Sequence, residues 1–255
     1  MGAVRLEVTD GVGLIRLDRP PANAIDHATG LELQEVIRRA GDDDAVGAIV
    51  VWGGPRIFAA GADIAAMAEY TPEEVRPVVS ALGDALDLLE SLPKISIAAI
   101  NGYALGGGFE LALAADLRYL ADDGIVGQPE IKLGVIPGAG GTQRLTRLAG
   151  PGAAADLVYS GRRVGAEEAL RLRLVERVSP AAEVLPTAMA HAGALAHGPG
   201  TALAAAKASI RAAGTRSPAE GLAEEKDRFC ALFGTGDQRE GMRAFLEKRE
   251  PRFGA

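Results

Sequence analysis

Two glutamates, Glu110 and Glu130, stand in surroundings where a carboxylate could do more than solvate the surface of this 255-residue chain. Glu110 follows Gly106-Gly107-Gly108-Phe109 and precedes Leu111-Ala112-Leu113-Ala114-Ala115, which puts it in the first turn of a helix apolar on every side. Burial raises a carboxyl pKa while a helix N-terminus partly lowers it, and enzymes use such tuning for proton transfer. A glutamate in a first helical turn also simply complements the helix dipole, and on the residues alone both readings stand. Glu130 is the only acid in the Gly/Pro-dense run from Gly127 to Leu145, whose irregular backbone must be shaped around something. Taken by itself, Glu130 reads as a solvated loop carboxylate.

Backbone donors are the second ingredient. The apolar run Ile95–Ile100, the turn Asn101-Gly102 and the all-apolar helix from Gly106 predict a strand, a glycine turn and a helix in succession. The first free N–H groups of that helix would face a pocket with the positive dipole end behind them, an oxyanion or anion site. Phe58-Ala59-Ala60-Gly61-Ala62-Asp63 is a second stretch of small residues that lets a ligand approach the backbone. Alone, it reads as an ordinary strand-to-helix turn.

Other chemistries lack material. A dinucleotide fingerprint would need glycine where Leu111 and Gln143 stand, and neither a phosphate loop nor a nucleophile elbow occurs. His27, His191 and His197 read as surface or cap residues, so no metal site is expected. Cys230, the single cysteine, lies in an apolar helical pattern and reads as a core thiol in a reducing compartment.

The elements that must hold these groups alternate. Arg5–Thr9 and Val12–Leu17 flank Asp10-Gly11 as a hairpin; a helix capped by Asp26 stops at Gly41; Val46–Trp52 is a buried strand. Thr71-Pro72-Glu73-Glu74 is a capping box opening a helix that Pro93 ends. Beyond about residue 180 only helices are expected, with Ser217…Glu220 and Asp237…Glu240 opening two of them. The reading is an α/β core over residues 1–195 and a helical C-terminal subdomain over 196–255. At 48% hydrophobic but 4% aromatic residues, the core must be aliphatic. A net charge of −7 disfavours nucleic acid and anionic membranes, and no run approaches the roughly 20 apolar residues of a span. Arg5, Glu7 and Asp10 stand where a secretory peptide is apolar, so a cytoplasmic protein is expected.

Taken together, Ala-Gly-Ala-Asp at 60–63, Asn-Gly-Tyr-Ala-Leu-Gly-Gly-Gly-Phe-Glu at 101–110 and the whole Gly127–Leu145 run resemble the enoyl-CoA hydratase (crotonase) family. The resemblance spans nearly the whole chain. It implies a ββα spiral core, a helical region used in trimerisation, and a homotrimer or hexamer. It also implies an acyl-CoA thioester substrate whose carbonyl oxygen is held by the amides of Ala62 and Gly107. Glu110 and Glu130 match the two carboxylates of the hydratase branch, here assigned as ionised base and protonated acid, and Gly138 matches an amide that helps hold water. Ala22, Ala60, Asp63 and Ile64 match the coenzyme A path, with Phe245 and Lys248 arriving from a neighbouring subunit. Without the family pattern, Lys248 reads as a solvated helix lysine. No metal or redox cofactor is implied.

The physics agrees with these parts. Adding water to a 2-enoyl thioester develops charge on the carbonyl oxygen, and losing one preorganised donor there costs on the order of 3 kcal/mol. A base must take a proton from water while an acid delivers one to the α-carbon. Three departures stand out: Ala65 replaces a frequent lysine near the CoA phosphates, residues 19–24 are one residue short of the usual pattern, and Arg173 replaces a frequent glycine. An enoyl-CoA isomerase, which typically manages with one carboxylate, or another enolate-forming acyl-CoA enzyme, and a non-catalytic acyl-CoA-binding homologue are the alternatives.

Overall fold

The computed structural model describes residues 2–254. β1 (Val4–Thr9) and β2 (Val12–Leu17) form the antiparallel hairpin, with Asp10 and Gly11 at φ 48° and 75° as its two left-handed turn residues. α1 (His27–Asp42) opens where Asp26 accepts the Thr29 N–H at 2.8 Å, and it buries Leu33, Val36, Ile37 and Ala40. Gly41 does not stop it. The helix runs on to Asp42, and Gly41 instead makes room for Leu92, whose Cδ2 would lie 2.6 Å from a Cβ at that position.

β3 (Ala48–Trp52) is followed by the four-residue helix α2 (Ile64–Met67) and by α3 (Pro72–Ser91), which opens on the full Thr71/Glu74 capping box. β4 (Ile95–Ile100), β5 (Tyr103–Leu105), α4 (Gly107–Ala114), β6 (Leu117–Ala121) and β7 (Ile125–Gly127) come next. A 3-10 turn at Glu130–Leu133 leads to α5 (Gly141–Ser160), β8 (Arg163–Gly165), α6 (Ala166–Arg171) and β9 (Arg177–Ser179).

The strands form two sheets, one ordered β1-β2-β3-β4-β6-β9 and parallel from β2 onward, the other β5-β7-β8. After β4 and again after β6 the chain steps into the smaller sheet, and Ala59, bridged to Ala104, makes the same step after β3. Repetition of that step stacks the turns into a ββα spiral. One face of the large sheet packs on α1 and α3 through residues such as Ile37, Val51, Leu86 and Ile100. α7 (Val184–Ala196) covers the other with Val184, Ala188 and Ala192.

After Ser179 the described residues hold only helices: α7, then α8 (Gly200–Ala212), α9 (Pro218–Ala231) and α10 (Gly236–Glu247). α9 has the expected Ser217/Glu220 box. α10 is capped by Thr235, two residues before the Asp237 cap that its spacing predicts: the Thr235 hydroxyl accepts the Gln238 N–H at 3.2 Å and leaves Asp237 in the first turn. Cys230 is likewise not a core thiol. It is exposed, since α9 buries none of its residues within one chain and its apolar positions face away from the core. No helix of the described residues is long and apolar enough to cross a membrane.

Candidate active site

β5 delivers the chain to Gly106, at φ 53°, and α4 starts one residue later. Every residue of α4 is buried, Glu110 at 3% exposure. A Cβ on Gly108 would overlap the Ala59 carbonyl, so glycine there lets the helix N-terminus seat directly on the 58–62 turn. The far edge of that turn is fixed by Ile25, whose N–H donates to Gly61 O at 2.8 Å and whose carbonyl accepts the Asp63 N–H at 3.4 Å. The Ala62 N–H is left on the opposite edge, beside Gly107: a Cβ built on Gly107 would lie 3.9 Å from Ala62 N. Among the described residues neither of these two N–H groups has an intramolecular acceptor.

The carboxyls meet the same turn. Glu110 Oε1 accepts the N–H groups of Ala139 and Gly141 at 2.8 and 2.7 Å, and its Oε2 would lie 3.9 Å from a Cβ on Gly107. Glu130 Oε1 would lie 3.0 Å from a Cβ on Gly106. Both open, with Ala62, Gly107 and Gly138, onto one cavity of about 450 Å³. Burial raises the Glu110 pKa, while the Gly141 and Ala139 N–H bonds and the Arg144 charge pull it back. Burial pushes Glu130 up to about 7, its own backbone N–H partly opposing and the Glu110 charge adding. Apart from Arg163 of β8, the remaining wall is largely apolar: Met67 of α2, Val75, Val78, Val79 and Leu82 of α3, and Leu133, Val135 and Ile136 opposite.

The other sequence-derived positions divide. Ala60 and Ile64 line the cavity, and the Ala22 carbonyl lies just behind, accepting the Ala60 N–H at 3.0 Å. Asp63 is engaged elsewhere, capping α2 through the Ala66 N–H at 3.3 Å and pairing with Arg19 at 2.9 Å. Phe245 and Lys248, at the end of α10, do not line the cavity within one chain. Ala65 is exposed on α2.

Two residues at the site carry no sequence-derived role. The fully buried Gln128 amide, turned with its nitrogen toward Glu130, donates to both carboxylate oxygens at 2.9 and 3.2 Å. Arg144 holds the Ala139 carbonyl at 2.7 Å. Only Arg144 left a local sign, a cation in the first turn of α5, where the dipole disfavours it.

A profile of the enoyl-CoA hydratase/isomerase family matches residues 7–255. The chain belongs to that family. Within the enoyl-CoA hydratase/isomerases it is 44% identical over 245 residues to a probable enoyl-CoA hydratase of Mycobacterium leprae, covering 95% of this chain and 94% of the relative. To a crotonyl-CoA hydratase of Syntrophomonas wolfei it is 41% identical, covering 97% and 96%. The crystal structure of an enoyl-CoA hydratase from Bacillus anthracis superposes with a TM-score of 0.95 at 38% identity, over 99% of both chains. The superposition thus takes in the C-terminal helices of this hydratase/isomerase family member as well as its crotonase spiral.

Proposed function

We propose that this chain is an enoyl-CoA hydratase, a hydro-lyase that adds water across the double bond of a 2-enoyl-CoA thioester. One observation carries the reading: two carboxyls and two unpaired backbone amides open onto a single cavity. The thioester oxygen takes the place between the Ala62 and Gly107 N–H groups. Glu110, kept ionised by its two N–H donors, removes a proton from a water that the Gly138 amide helps hold, as the water oxygen bonds to the β-carbon. The electron pair of the double bond moves to the thioester oxygen as an enolate, which the two amides stabilise. Glu130, protonated below about pH 7, delivers its proton to the α-carbon as the carbonyl re-forms. Water is added with no net oxidation or reduction, and the two amides and two carboxyls supply the polarisation and the proton transfers, so this reading assigns no metal or redox cofactor.

The apolar wall from Met67 to Leu82 receives the acyl chain. Coenzyme A leaves along Ala22, Ala60, Asp63 and Ile64, Asp63 acting through its backbone because its carboxylate is held by Arg19. Phe245 and Lys248 complete that path from a neighbouring subunit of a trimer or a hexamer. Fatty-acid β-oxidation in the cytoplasm is the setting this fits, the lone cysteine matching a reducing compartment.

Steady-state turnover of short, medium and branched enoyl-CoA thioesters, with product identification, tests the reading. Formation of 3-hydroxyacyl-CoA from at least one of them is expected, and hydration of none overturns it. Glu110→Gln and Glu130→Gln should each lower kcat by about 10²–10⁴-fold. Full hydration by Glu130→Gln would remove Glu130 from the acid role and leave a one-carboxylate site of the isomerase kind.

A further inference from the structure

Arg144 touches none of the reacting groups, yet its side chain is only 8% exposed. Nη1 donates to the Ala139 carbonyl at 2.7 Å, Nε to Glu90 Oε2 at 2.8 Å, and Nη2 to Asp87 Oδ1 at 2.6 Å. Its backbone N–H closes on Gly140 O at 2.9 Å. Ala139 and Gly141 are the residues whose N–H groups hold Glu110. Asp87 and Glu90 belong to α3, the helix that supplies Val75, Val78, Val79 and Leu82 to the cavity wall. Glu90 is itself tied to Arg211 of α8 at 2.7 Å. One guanidinium therefore joins the loop that holds the base to the helix that lines the acyl pocket.

That arrangement is unfavourable in isolation. A cation in a first helical turn opposes the dipole, and a buried guanidinium is tolerated only when its donors are satisfied. The compensation comes from the planar fork, which meets a carbonyl and two carboxylates at once in a way an ammonium does not. We propose that Arg144 is a positioning residue for hydration, locking the 139–141 loop against α3 so that the Ala139 and Gly141 N–H groups stay aimed at the Glu110 carboxylate. The inference rests on the hydratase reading for its kinetics, but not for its titration.

The charged groups around Glu110 are few. Glu130 faces it from the 3-10 turn and Arg144 from α5, Asp87 and Glu90 of α3 reach it through Arg144, and Arg163 of β8 lines the same cavity. Loss of the guanidinium removes a positive charge and loosens two donors, and both changes disfavour the ionised form. Glu110 then takes up its proton at higher pH, and the acid limb of kcat/KM moves upward.

The experiment compares Arg144→Gln, Arg144→Lys and Glu90→Gln with wild type in kcat, KM and pH profile. Arg144→Gln should lower kcat about 10–100-fold with KM little changed and raise the acid limb by about half a unit to one unit. Arg144→Lys should restore the limb but only part of kcat. A folded Arg144→Gln with an unmoved limb overturns the proposal, as does a lysine variant whose limb matches the glutamine variant. If Arg144→Gln does not fold, Glu90→Gln decides: lowered kcat at unchanged KM is expected, and wild-type kcat overturns it. A ¹³C titration of the Glu110 carboxyl in a Glu130→Gln background reads the same shift without turnover. An upward shift there upholds the hold of Arg144 on the Glu110 carboxylate even if no enoyl thioester is hydrated; no shift removes it even if the wild type is an active hydratase.

Discussion

Glu130 is held in the cavity at a cost to folding that depends on pH. Its carboxyl ionises near 4.5 in an unfolded chain and near 7 in the folded protein, so the folded state binds more protons between those values. Its contribution to stability is full below about pH 4.5, declines as pH rises, and is gone above about 7. Glu130→Gln removes the ionisation while keeping the shape. At pH 8 the variant should be more stable than wild type by on the order of 1 kcal/mol, allowing for the solvent-facing side of the group, and at pH 4 the two should match. Denaturant melts at both pH values check this, and equal stability at pH 8 would contradict it. The same proton serves catalysis, so wild-type kcat/KM should fall as pH rises past about 7. Glu110 stands out in the sequence because a carboxylate conflicts with an apolar helix, whereas Glu130 by itself reads as a solvated loop acid and is singled out through the family resemblance. The roles of Gln128 and Arg144 are not legible there: Gln128 meets Glu130 only because the backbone turns between them, and the carboxylates that hold Arg144 lie 54 and 57 residues away.

At the scale of elements, local chemistry was readable and space was not. Asp26, Thr71 and Ser217 mark helix starts correctly because a cap needs only an acceptor within three residues. Thr235 and Asp237 offer competing acceptors two residues apart, and only the path of the chain chooses between them. Gly41 looked like a terminator but serves packing against Leu92, a contact with no local signature. Arg173 is a different case, a residue type at odds with its backbone. It is exposed, sits at φ 60° just after α6, and its N–H donates to Leu170 O at 3.0 Å. An L-residue there carries about 1 kcal/mol of strain that glycine relieves, less what glycine loses in unfolded-chain entropy. Arg173→Gly should therefore stabilise the protein by roughly 0.5 kcal/mol. Urea unfolding should show a higher midpoint at unchanged slope, and a lower midpoint would mean the arginine makes contacts that outweigh its strain.

Across the whole molecule, the alternation of strands and helices gives the α/β class, whereas the stacking of turns depends on close backbone approaches such as Gly108 on Ala59 that periodicity does not encode. The spiral was legible only through the family resemblance. The same limit explains Cys230 and the apolar positions of the last three helices. Ile210, Leu222, Phe229, Phe245 and Leu246 are exposed by 75, 65, 60, 83 and 79% in one chain, more apolar surface than a monomer ordinarily leaves bare. Subunit association would cover it and would bring Phe245 and Lys248 to a neighbour's cavity, so assembly and coenzyme A affinity should fail together. Sedimentation of the wild type should give a species three or six times the chain mass. Leu222→Glu puts a charge into that surface without touching any residue of the cavity and should give smaller species with a raised KM for the thioester. Its kcat at saturation should persist in large part, because Glu110, Glu130 and the two amides all come from one chain. A wild type that stays monomeric at every concentration while binding the thioester tightly would separate the two, leaving the C-terminal surface without a part in substrate binding.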